Sequence, residues 1–351
     1  MPWQDITLKL ECWPPLPEHI AKAWDAADEY LWQECDKNTS TLIINDRYGA
    51  LACALPQASR WLDSQSAAQA AEHNLQRLAA RSAPAFFAAE NLPKAKQVLI
   101  KVPKNFELLH FYLASCQAQL APDTEYLLAG MSKHWPISWL NWLEEHSHYQ
   151  QLPLHKKARL VKLKLKALPK VPLWRGYDYA DLKLEALPGV FARDKLDIGS
   201  RVLLENIPKL YGDLCDLGCG NGLLGLSLAQ KNTLNSLTLC DDSYLAVISA
   251  KHNAKQLAQP PVHCVHSDGL AQISTQFDVI VCNPPFHDGH KELTNIALMM
   301  FAQSKKHLKA GGTLFVIANR HLPYLGALKK HFKRVDSIAA DTRFSLYQCQ
   351  N

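Results

Sequence analysis

The sequence predicts an α/β protein of two tandem Rossmann-like domains, each a mostly parallel sheet with helices on both faces. At 351 residues the chain is long for a single domain. Short apolar runs alternate with helix-length segments in both halves, which is typical of such sheets. The expected boundaries are 1–168 for the first domain, 169–185 for a linker and 186–351 for the second domain.

The second half shows the alternation most clearly. Apolar runs predict strands over 214–217, 237–240, 262–266, 277–282 and 313–318, and two closing strands near 335–339 and 344–350. The segments between them predict helices that end near 230, 257, 308 and 332. A glycine-rich turn joins the first of these strands to its helix. This order of elements favours a buried parallel sheet.

The first half repeats this order of elements but lacks the glycine-rich turn and the Asn-Pro-Pro-Phe motif of the second half. Residues 41–51 have the character of a strand, a turn and a helix, without the run of glycines. The strand predicted over 97–101 ends in Lys101-Val-Pro-Lys104, where the second half has Asn283-Pro-Pro-Phe286. We interpret the halves as a duplication in which only the second copy stayed catalytic. A generic α/β domain is the alternative for the first half.

Composition excludes several classes of protein. With 48% hydrophobic and 20% charged residues, the chain has ample core material, and its net charge of +5 is compatible with a nucleic-acid partner. The ten cysteines form no CxxC pair, so they indicate buried free thiols rather than zinc ligands or disulfides. The sequence also shows no secretion signal and no apolar run long enough to span a membrane, which predicts a cytoplasmic protein.

A lysine-rich segment lies between the halves. Over 155–166, leucine and valine alternate with lysine, which predicts a strand with one buried face and one lysine face. Two interpretations are open. The lysines either protect an edge strand from aggregation, or they form a row that faces RNA phosphates.

The glycine-rich turn is the first motif that carries chemistry. It runs from Asp216 through Gly218, Gly220 and Asn221 to Gly222, after a strand and before a helix. Glycines let a backbone approach a ligand closely, and a helix N-terminus favours a negative group. The run from Gly220 also fits the GxGxxG dinucleotide pattern. The acid before the first glycine instead favours a cofactor with a free amino group, such as S-adenosylmethionine.

Two further acids follow neighbouring strands. Asp241 ends the next predicted strand, where a carboxylate can accept hydrogen bonds from both ribose hydroxyls. Asp268 follows the strand over 262–266 and is placed to accept from an adenine amino group. A simple Asp-Gly turn is the alternative interpretation of Asp268.

The tetrapeptide after the strand over 277–282 provides the second motif, formed by Asn283, Pro284, Pro285 and Phe286. An exocyclic amine on guanine or adenine is a poor nucleophile because its lone pair is conjugated into the ring. If the Asn283 side-chain oxygen and the Pro284 carbonyl each accept one N–H, the nitrogen is held and its lone pair is aimed at a methyl group. Phe286 would stack on the base, which must first leave its helix.

Two neighbouring segments raise further possibilities. His287 and His290, with Asp288 and Glu292, lie in one short glycine-containing loop that fixes no coordination geometry, so we expect no metal site. Phe191 precedes the helix predicted near 197–199, where it either folds over the cofactor or packs as a hydrophobic staple.

These motifs resemble the ribosomal RNA guanine-N2 methyltransferases of bacteria, whose chains pair an inert methyltransferase-like half with an active one. The second half matches that family over 189–194, 196–199 and 282–287. The family has a small-subunit and a large-subunit branch. Segments such as 23–30 and 45–51 match the large-subunit branch. The resemblance covers nearly the whole chain.

The resemblance implies a seven-stranded S-adenosylmethionine-dependent methyltransferase fold in the second domain and RNA recognition by the degenerate first. The implied reaction methylates N2 of a guanine in large-subunit ribosomal RNA. The implied enzyme is monomeric and needs neither metal nor membrane. The residues implied in orienting the amine are Asn283, Pro284, Pro285 and Phe286. The implied cofactor contacts are Asp216, Gly218, Gly220, Asn221, Asp241, Asp268 and Asn283.

Several alternatives stay open on the sequence alone. Small-subunit RNA is one alternative substrate. N6-adenine and glutamine-amide methyltransferases also use Asn-Pro-Pro followed by an aromatic residue. An RNA-binding assembly factor could keep the fold without turnover, and a dinucleotide oxidoreductase would use the GxGxxG pattern.

Overall fold

The chain folds into two compact units, Met1–Pro172 and Leu173–Asn351. The computed structural model describes residues 3–14, 22–80, 83, 85–285 and 291–351, with the side chains of 291–294 left out of the description. Each unit contains a seven-stranded mixed sheet, which confirms the predicted pair of α/β domains.

The first unit contains short strands and helices that alternate along the chain. Its strands are β1 (Thr41–Ile44), β2 (Ser59–Trp61), β3 (Ala85–Phe86), β4 (Gln97–Lys101), β5 (Glu125–Met131), β6 (Ser147–Gln151) and β7 (Ala158–Leu165). Its helices are α1 (Trp3–Thr7), α2 (Ala26–Glu34), α3 (Ala50–Ala54), α4 (Gln65–Arg77), α5 (Phe106–Gln119) and α6 (Ile137–Glu145).

The second unit opens with a separate hairpin and then repeats the plan. Its strands are β8 (Arg175–Tyr179), β9 (Leu182–Ala186), β10 (Tyr211–Leu217), β11 (Thr233–Asp241), β12 (Val262–His266), β13 (Phe277–Cys282), β14 (Leu308–Asn319), β15 (Arg334–Ala340) and β16 (Phe344–Gln350). Its helices are α7 (Ile198–Asn206), α8 (Leu223–Lys231), α9 (Tyr244–Ala254), α10 (Lys291–His307) and α11 (Tyr324–His331).

The two seven-stranded sheets have the same strand order. It is β3-β2-β1-β4-β5-β7-β6 in the first unit and β12-β11-β10-β13-β14-β16-β15 in the second. In both, the first five strands are parallel and the last two are antiparallel to their neighbours. Two halves of one chain therefore share a topology, which is the pattern that the duplication hypothesis predicts.

The lysine-rich segment differs from one of its predicted interpretations. The strand begins at Ala158, and β7 pairs with β5 on one side and β6 on the other. The edge-strand interpretation is therefore wrong, because β6 returns to form the edge. Two of the lysines also have acidic partners: Lys156 lies 2.8 Å from Glu29, and Lys162 lies 3.0 Å from Glu34.

The core of the second unit lies on both faces of its sheet. Leu214 faces α7, α8 and α9, whereas the next residue, Cys215, faces α10 and α11. This alternation is what a buried strand dictates. The β8–β9 hairpin covers part of the first face through Leu182 and Leu184. The stretch 169–185 that the sequence assigned to a linker thus includes β8 and most of β9.

The cysteines are free thiols, and all but Cys264 are buried. Burial raises the pKa of Cys264 to about 11. Within the described residues, no helix combines the length and the apolar character needed to cross a bilayer.

Candidate active site

The candidate site lies at the carboxyl ends of four parallel strands of the second sheet, β10, β11, β12 and β13. This end of the sheet is called the edge below. Leu217, the last residue of β10, is opposite Cys240 of β11 on one side and Cys282 of β13 on the other. Asp241 of β11 is in turn opposite His266 of β12. From β10 the chain continues to β11 and β12 on one side and then crosses to β13 on the other side of β10. The carboxyl ends of β10 and β13 therefore form a topological switch point, where open α/β sheets bind ligands.

The glycine turn after β10 takes a conformation that other residues rarely adopt. Gly218, Gly220 and Gly222 have φ angles of 76°, 54° and 87°, in the left-handed region that disfavours side chains. The backbone nitrogens of Gly218 and Cys219 donate to the carbonyl of Cys240 at 2.9 and 3.0 Å. The turn is therefore tied to β11 and presents backbone, without side chains at its glycines, to a ligand.

Asp216 lies beneath this turn and is completely buried. Its Oδ2 accepts a hydrogen bond from the Gly225 amide of α8 at 2.8 Å, whereas its buried Oδ1 has no partner. Burial raises the pKa of Asp216 to about 7. A buried carboxylate with one unsatisfied oxygen strongly favours a nearby cation.

Asp241 connects the glycine turn to the start of α9. Its Oδ2 accepts from the Gly220 amide and its Oδ1 from the Ser243 amide, both at 2.9 Å. The sequence predicted a ribose contact for Asp241 but missed this bracing role. Ser243 is the N-cap of α9, and its side chain accepts from the Ala246 amide.

Asn221 and Asp268 are also near this edge. Asn221 is 2% exposed, and its Oδ1 accepts from the Leu223 amide at 3.2 Å, so its side chain is engaged within the turn. Asp268 follows β12, and its own amide donates to the Gln272 side chain at 2.8 Å. The preceding Ser267 amide donates to the Asp241 carbonyl at 2.9 Å, so the chain at Asp268 lies beside the end of β11; its contact with an adenine amino group stays a prediction.

Asn283 follows β13 on the sheet face that α7 covers. Its Nδ2 donates to Asp197 Oδ2 at 3.0 Å and to Ser200 Oγ at 2.9 Å. Its Oδ1 is buried and has no partner. Pro284 is buried beside it and Pro285 is exposed. The sequence singled out Asn283 but missed the roles of Asp197 and Ser200, although an Asp directly before the apolar Ile198 at a helix start signals an N-cap.

Some predicted site residues lie outside the residues that the structure describes. Residues 286–290 are not described, and neither is the side chain of Glu292, so stacking by Phe286 and the loop containing His287, Asp288 and His290 stay predictions. Among the residues that the structure does describe, no cluster of His, Cys, Asp or Glu could hold a metal ion.

Phe191 lies beside the glycine turn. A Cβ placed on Gly220 would be 3.8 Å from the Phe191 carbonyl oxygen and 4.0 Å from its Cβ. The Phe191 ring is largely exposed, with 55% of the residue accessible to solvent. An exposed aromatic ring beside a ligand-binding turn is available to cover a ligand.

The residues present fit S-adenosylmethionine. The unpaired Asp216 oxygen suits a ligand that carries an ammonium group, and the glycine turn leaves backbone uncovered for close approach. A sheet of this order, with an acid at the end of β11 and Asn-Pro-Pro after β13, defines an S-adenosylmethionine-dependent methyltransferase.

Comparison with known proteins relates nearly the whole chain to methyltransferases. The family described as Methyltransferase small domain matches residues 181–348, and the RLMG N-terminal domain matches residues 1–167. Ribosomal RNA large subunit methyltransferase G of Stutzerimonas stutzeri is 39% identical over 94% of this chain and 94% of its own length. That of Photobacterium profundum is 35% identical over 98% and 97%. The chain therefore belongs to the ribosomal RNA large subunit methyltransferase G family.

A solved structure agrees at the level of the fold. The 16S rRNA N2 G1207 methyltransferase of T. thermophilus, determined with AdoMet and guanosine, superposes with a TM-score of 0.80. It covers 93% of this chain and 92% of its own, at 21% identity. This superposition confirms the predicted fold, and membership of the family confirms the methyl-donor cofactor and the large-subunit branch of the resemblance.

Proposed function

We propose that this protein transfers a methyl group from S-adenosylmethionine to the exocyclic N2 of a guanine in large-subunit ribosomal RNA. Family membership supports the RNA substrate. One observation supports an amine as the group that receives the methyl: the buried Oδ1 of the Asn283 amide has no hydrogen-bond partner in the protein. A buried acceptor without a donor is unfavourable unless a ligand supplies one, and a base amine is such a donor.

S-adenosylmethionine supplies a methyl group on a positively charged sulfur. We assign its binding to the edge formed by β10, β11 and β12. The Gly218–Gly222 turn provides close backbone approach, and Asp241 accepts from the ribose hydroxyls while it braces that turn. Asp216 favours the amino group through its charge, since it is buried beneath the turn. Asp268 follows the next strand, toward the adenine.

The second substrate is a planar amine. The Asn283 oxygen and the Pro284 carbonyl each accept one N–H, which holds the nitrogen and directs its lone pair out of the base plane. The nitrogen loses one proton as it gains the methyl group, so two acceptors at this point serve both orientation and proton departure. Phe286 provides the stacking surface for a base that has left its helix.

We assign RNA recognition to the first unit. Its β7 carries Lys164, which is exposed, and cationic side chains supply most of the sequence-independent affinity for RNA. Lys156 and Lys162 already pair with carboxylates, so this strand alone is a modest phosphate site. A ribosomal RNA substrate would place the reaction in the cytoplasm.

Nucleoside analysis tests this proposal. Purified protein is incubated with tritium-labelled S-adenosylmethionine and unmodified small- and large-subunit RNA, and each RNA is then digested. We expect labelled N2-methylguanine in large-subunit RNA alone. N2-methylguanine in small-subunit RNA, or N6-methyladenine in either RNA, would contradict the proposed substrate. Assembled particles in a parallel reaction separate a particle requirement from a wrong substrate class.

A further inference from the structure

The orientation of the Asn283 amide is fixed by the atoms around it. Its Nδ2 lies 3.0 Å from a carboxylate oxygen of Asp197 and 2.9 Å from the hydroxyl of Ser200. A carboxylate only accepts hydrogen bonds, so only the N–H side of an amide can face it. A reversed amide would place two oxygens against each other. Both Asn283 N–H groups are therefore used, and Oδ1 is left as a buried acceptor without a partner in the protein.

The two residues that hold this amide are themselves held. Asp197 is the N-cap of α7, and its Oδ2 also accepts from the Ser200 amide at 2.8 Å. Ser200 is 5% exposed. A Cβ added to Gly199 between them would lie 3.2 Å from Asp197 Oδ2 and 3.2 Å from the Phe344 ring of β16. The first turn of α7 is therefore closely packed and cannot shift freely.

We infer that Asp197 and Ser200 are positioning residues for methyl transfer: they lock the Asn283 amide with its oxygen toward the substrate amine. The inference rests on the proposed function, since it assigns the free oxygen to that amine. It also gives the site a selectivity, because a locked acceptor admits a group with an N–H donor and rejects a bare acceptor in the same place. Donation to the Asp197 carboxylate is charge-assisted, which is the stronger kind of hydrogen bond.

A carboxylate at position 283 distinguishes this arrangement from a simple packing role. Asn283→Asp keeps the size and one acceptor oxygen, but it places a second carboxylate about 3 Å from that of Asp197 and removes both donors. Asp197→Asn restores a donor toward position 283 and removes the repulsion. The pair therefore forms a double-mutant cycle in which the second change should repair the first.

The experiment measures single-turnover methylation of large-subunit RNA, the Kd for S-adenosylmethionine and Tm for the four members of this cycle. We expect Asn283→Asp to lower the rate about 10²-fold and to lower Tm. Asp197→Asn alone should lower the rate a few fold, and the double variant should recover at least about tenfold of the Asn283→Asp loss. The Kd for S-adenosylmethionine should change less than about threefold throughout.

A serine pair provides a matched control. Ser200→Ala removes one of the two acceptors for the Asn283 amide and should lower kcat about tenfold, with little change in KM for S-adenosylmethionine. Ser304→Ala makes the same substitution at a buried serine of α10, whose hydroxyl donates to the Met300 carbonyl at 2.7 Å. Ser304 does not contact Asn283, so we expect this variant to keep the wild-type rate.

The outcomes separate the two proposals. A double variant no better than Asn283→Asp, in both rate and Tm, would overturn the positioning role while wild-type methylation upholds the proposed function. Equal losses in Ser200→Ala and Ser304→Ala would likewise reduce Ser200 to a packing residue. Wild-type protein that methylates none of the tested RNAs would overturn the proposed function and, with it, the positioning role. Repair of Tm in the double variant would in that case establish only the contact between residues 197 and 283.

Discussion

Lys101 and Asn283 occupy the same position in two sheets of identical strand order. Ile100 is opposite Ile44 in the first sheet and Cys282 is opposite Leu217 in the second, and the residue that follows each faces the helix before the first strand. In the second unit, Asn283 meets Asp197 and Ser200 of α7.

The first unit fills the equivalent place with an ion cluster. Lys101 Nζ lies 2.9 Å from Asp25 and 2.6 Å from Asp28. Asp25 is the N-cap of α2 and Asp28 lies three residues later, the same two helix positions that Asp197 and Ser200 occupy in α7. The framework is conserved between the units, and the chemistry at one strand end differs.

This comparison teaches what a site must leave unsatisfied. The Lys101 ammonium and its two carboxylates satisfy one another, so the first unit has no acceptor waiting for a ligand there. Within the described part of the chain, the buried side-chain oxygens without a partner all belong to the second unit: Asp216 Oδ1, Ser227 Oγ and Asn283 Oδ1. Two of these three are at the candidate site. The two acceptors at the candidate site therefore carry a free-energy penalty that a donor on a ligand can relieve.

The turn after β10 also leaves more room for a ligand than the equivalent turn after β1. The second unit has three left-handed glycines after β10, whereas the first unit has Asn45 and Gly49 in that conformation. A Cβ on Gly49 would lie 2.5 Å from Ala71 of α4, so protein atoms fill the space beside that turn. In the second unit, a Cβ on Gly222, which is likewise the N-cap glycine, would lie 3.1 Å from the Leu226 side chain, whereas a Cβ on Gly220 would meet nothing closer than 3.8 Å.

The largest expected effect follows from removing the catalytic amide. Asn283→Ala removes the acceptor that holds the amine, so we expect the methylation rate to fall about 10²–10³-fold. The change also removes the two hydrogen bonds from Nδ2 to Asp197 and Ser200, so Tm should fall as well, and the rate is compared at a temperature where both proteins are folded. Single-turnover assays and thermal unfolding measure both quantities. Retained methylation would remove Asn283 from the mechanism, and lost RNA binding would favour a binding role instead.

The equivalent change in the first unit should have the opposite phenotype. Lys101→Met leaves the buried carboxylate of Asp28 and the exposed carboxylate of Asp25 without their cation, which we expect to lower the free energy of unfolding by about 3 kcal/mol, mainly through Asp28. S-adenosylmethionine affinity, measured on the folded variant, should stay within about twofold of wild type. Lys156→Met is the matched control. Lys156 is exposed and pairs with Glu29, and an ion pair with an exposed partner contributes little, so this variant should lose little stability.

The pH dependence of that loss sharpens the comparison. Burial raises the pKa of Asp28 to about 6, above its usual value of about 4. A raised carboxyl pKa stabilises the folded state at low pH, and this stabilisation is lost as pH rises through the folded-state pKa. Removing the Lys101 ammonium raises that pKa further. Denaturation at about pH 5 and pH 8 should therefore show a larger Lys101→Met deficit at pH 8; equal deficits would contradict the ion cluster.

The smallest effect concerns the charge of Asp216. Its pKa is raised to about 7 by burial, so its negative charge is lost as pH falls below 7. We expect the affinity for S-adenosylmethionine to weaken severalfold between about pH 7.5 and pH 6. Asp216→Asn should bind more weakly near pH 7.5 and lose this dependence. An unchanged pH profile in that variant would show that Asp216 supports the turn without acting on the amino group.

The fold of the second unit was predictable because its signals are local. The buried strands β10 and β13 contain short apolar stretches that end at Gly218 and Pro284, and such stretches can be found without knowledge of their partners. The position of β7 inside its sheet was not predictable, because the alternation of lysine and leucine fixes a face but not a neighbour. The hairpin of β8 and β9 was missed for the same reason, since its partners lie elsewhere in the unit.

The candidate site was predictable to a similar degree. The motifs around Asp216 and Asn283 specify which side chains lie at the strand ends. They do not specify what holds those side chains, because Asp197 and Asn283 are 86 residues apart in the chain and meet only through the pairing of β13 and the packing of α7. The bracing of the glycine turn by Asp241 was also hidden, since a ribose-binding acid and a turn-bracing acid look alike in sequence.

Counting the cofactor sites tests the central contrast most directly. S-adenosylmethionine is titrated calorimetrically into the full chain and into an Asp241→Ala variant. We predict one binding site per chain, which the Asp241→Ala variant weakens strongly because that change removes both the ribose acceptor and the brace of the glycine turn. Two sites per chain, or one site that Asp241→Ala leaves unchanged, would contradict the account that only the second unit holds the cofactor.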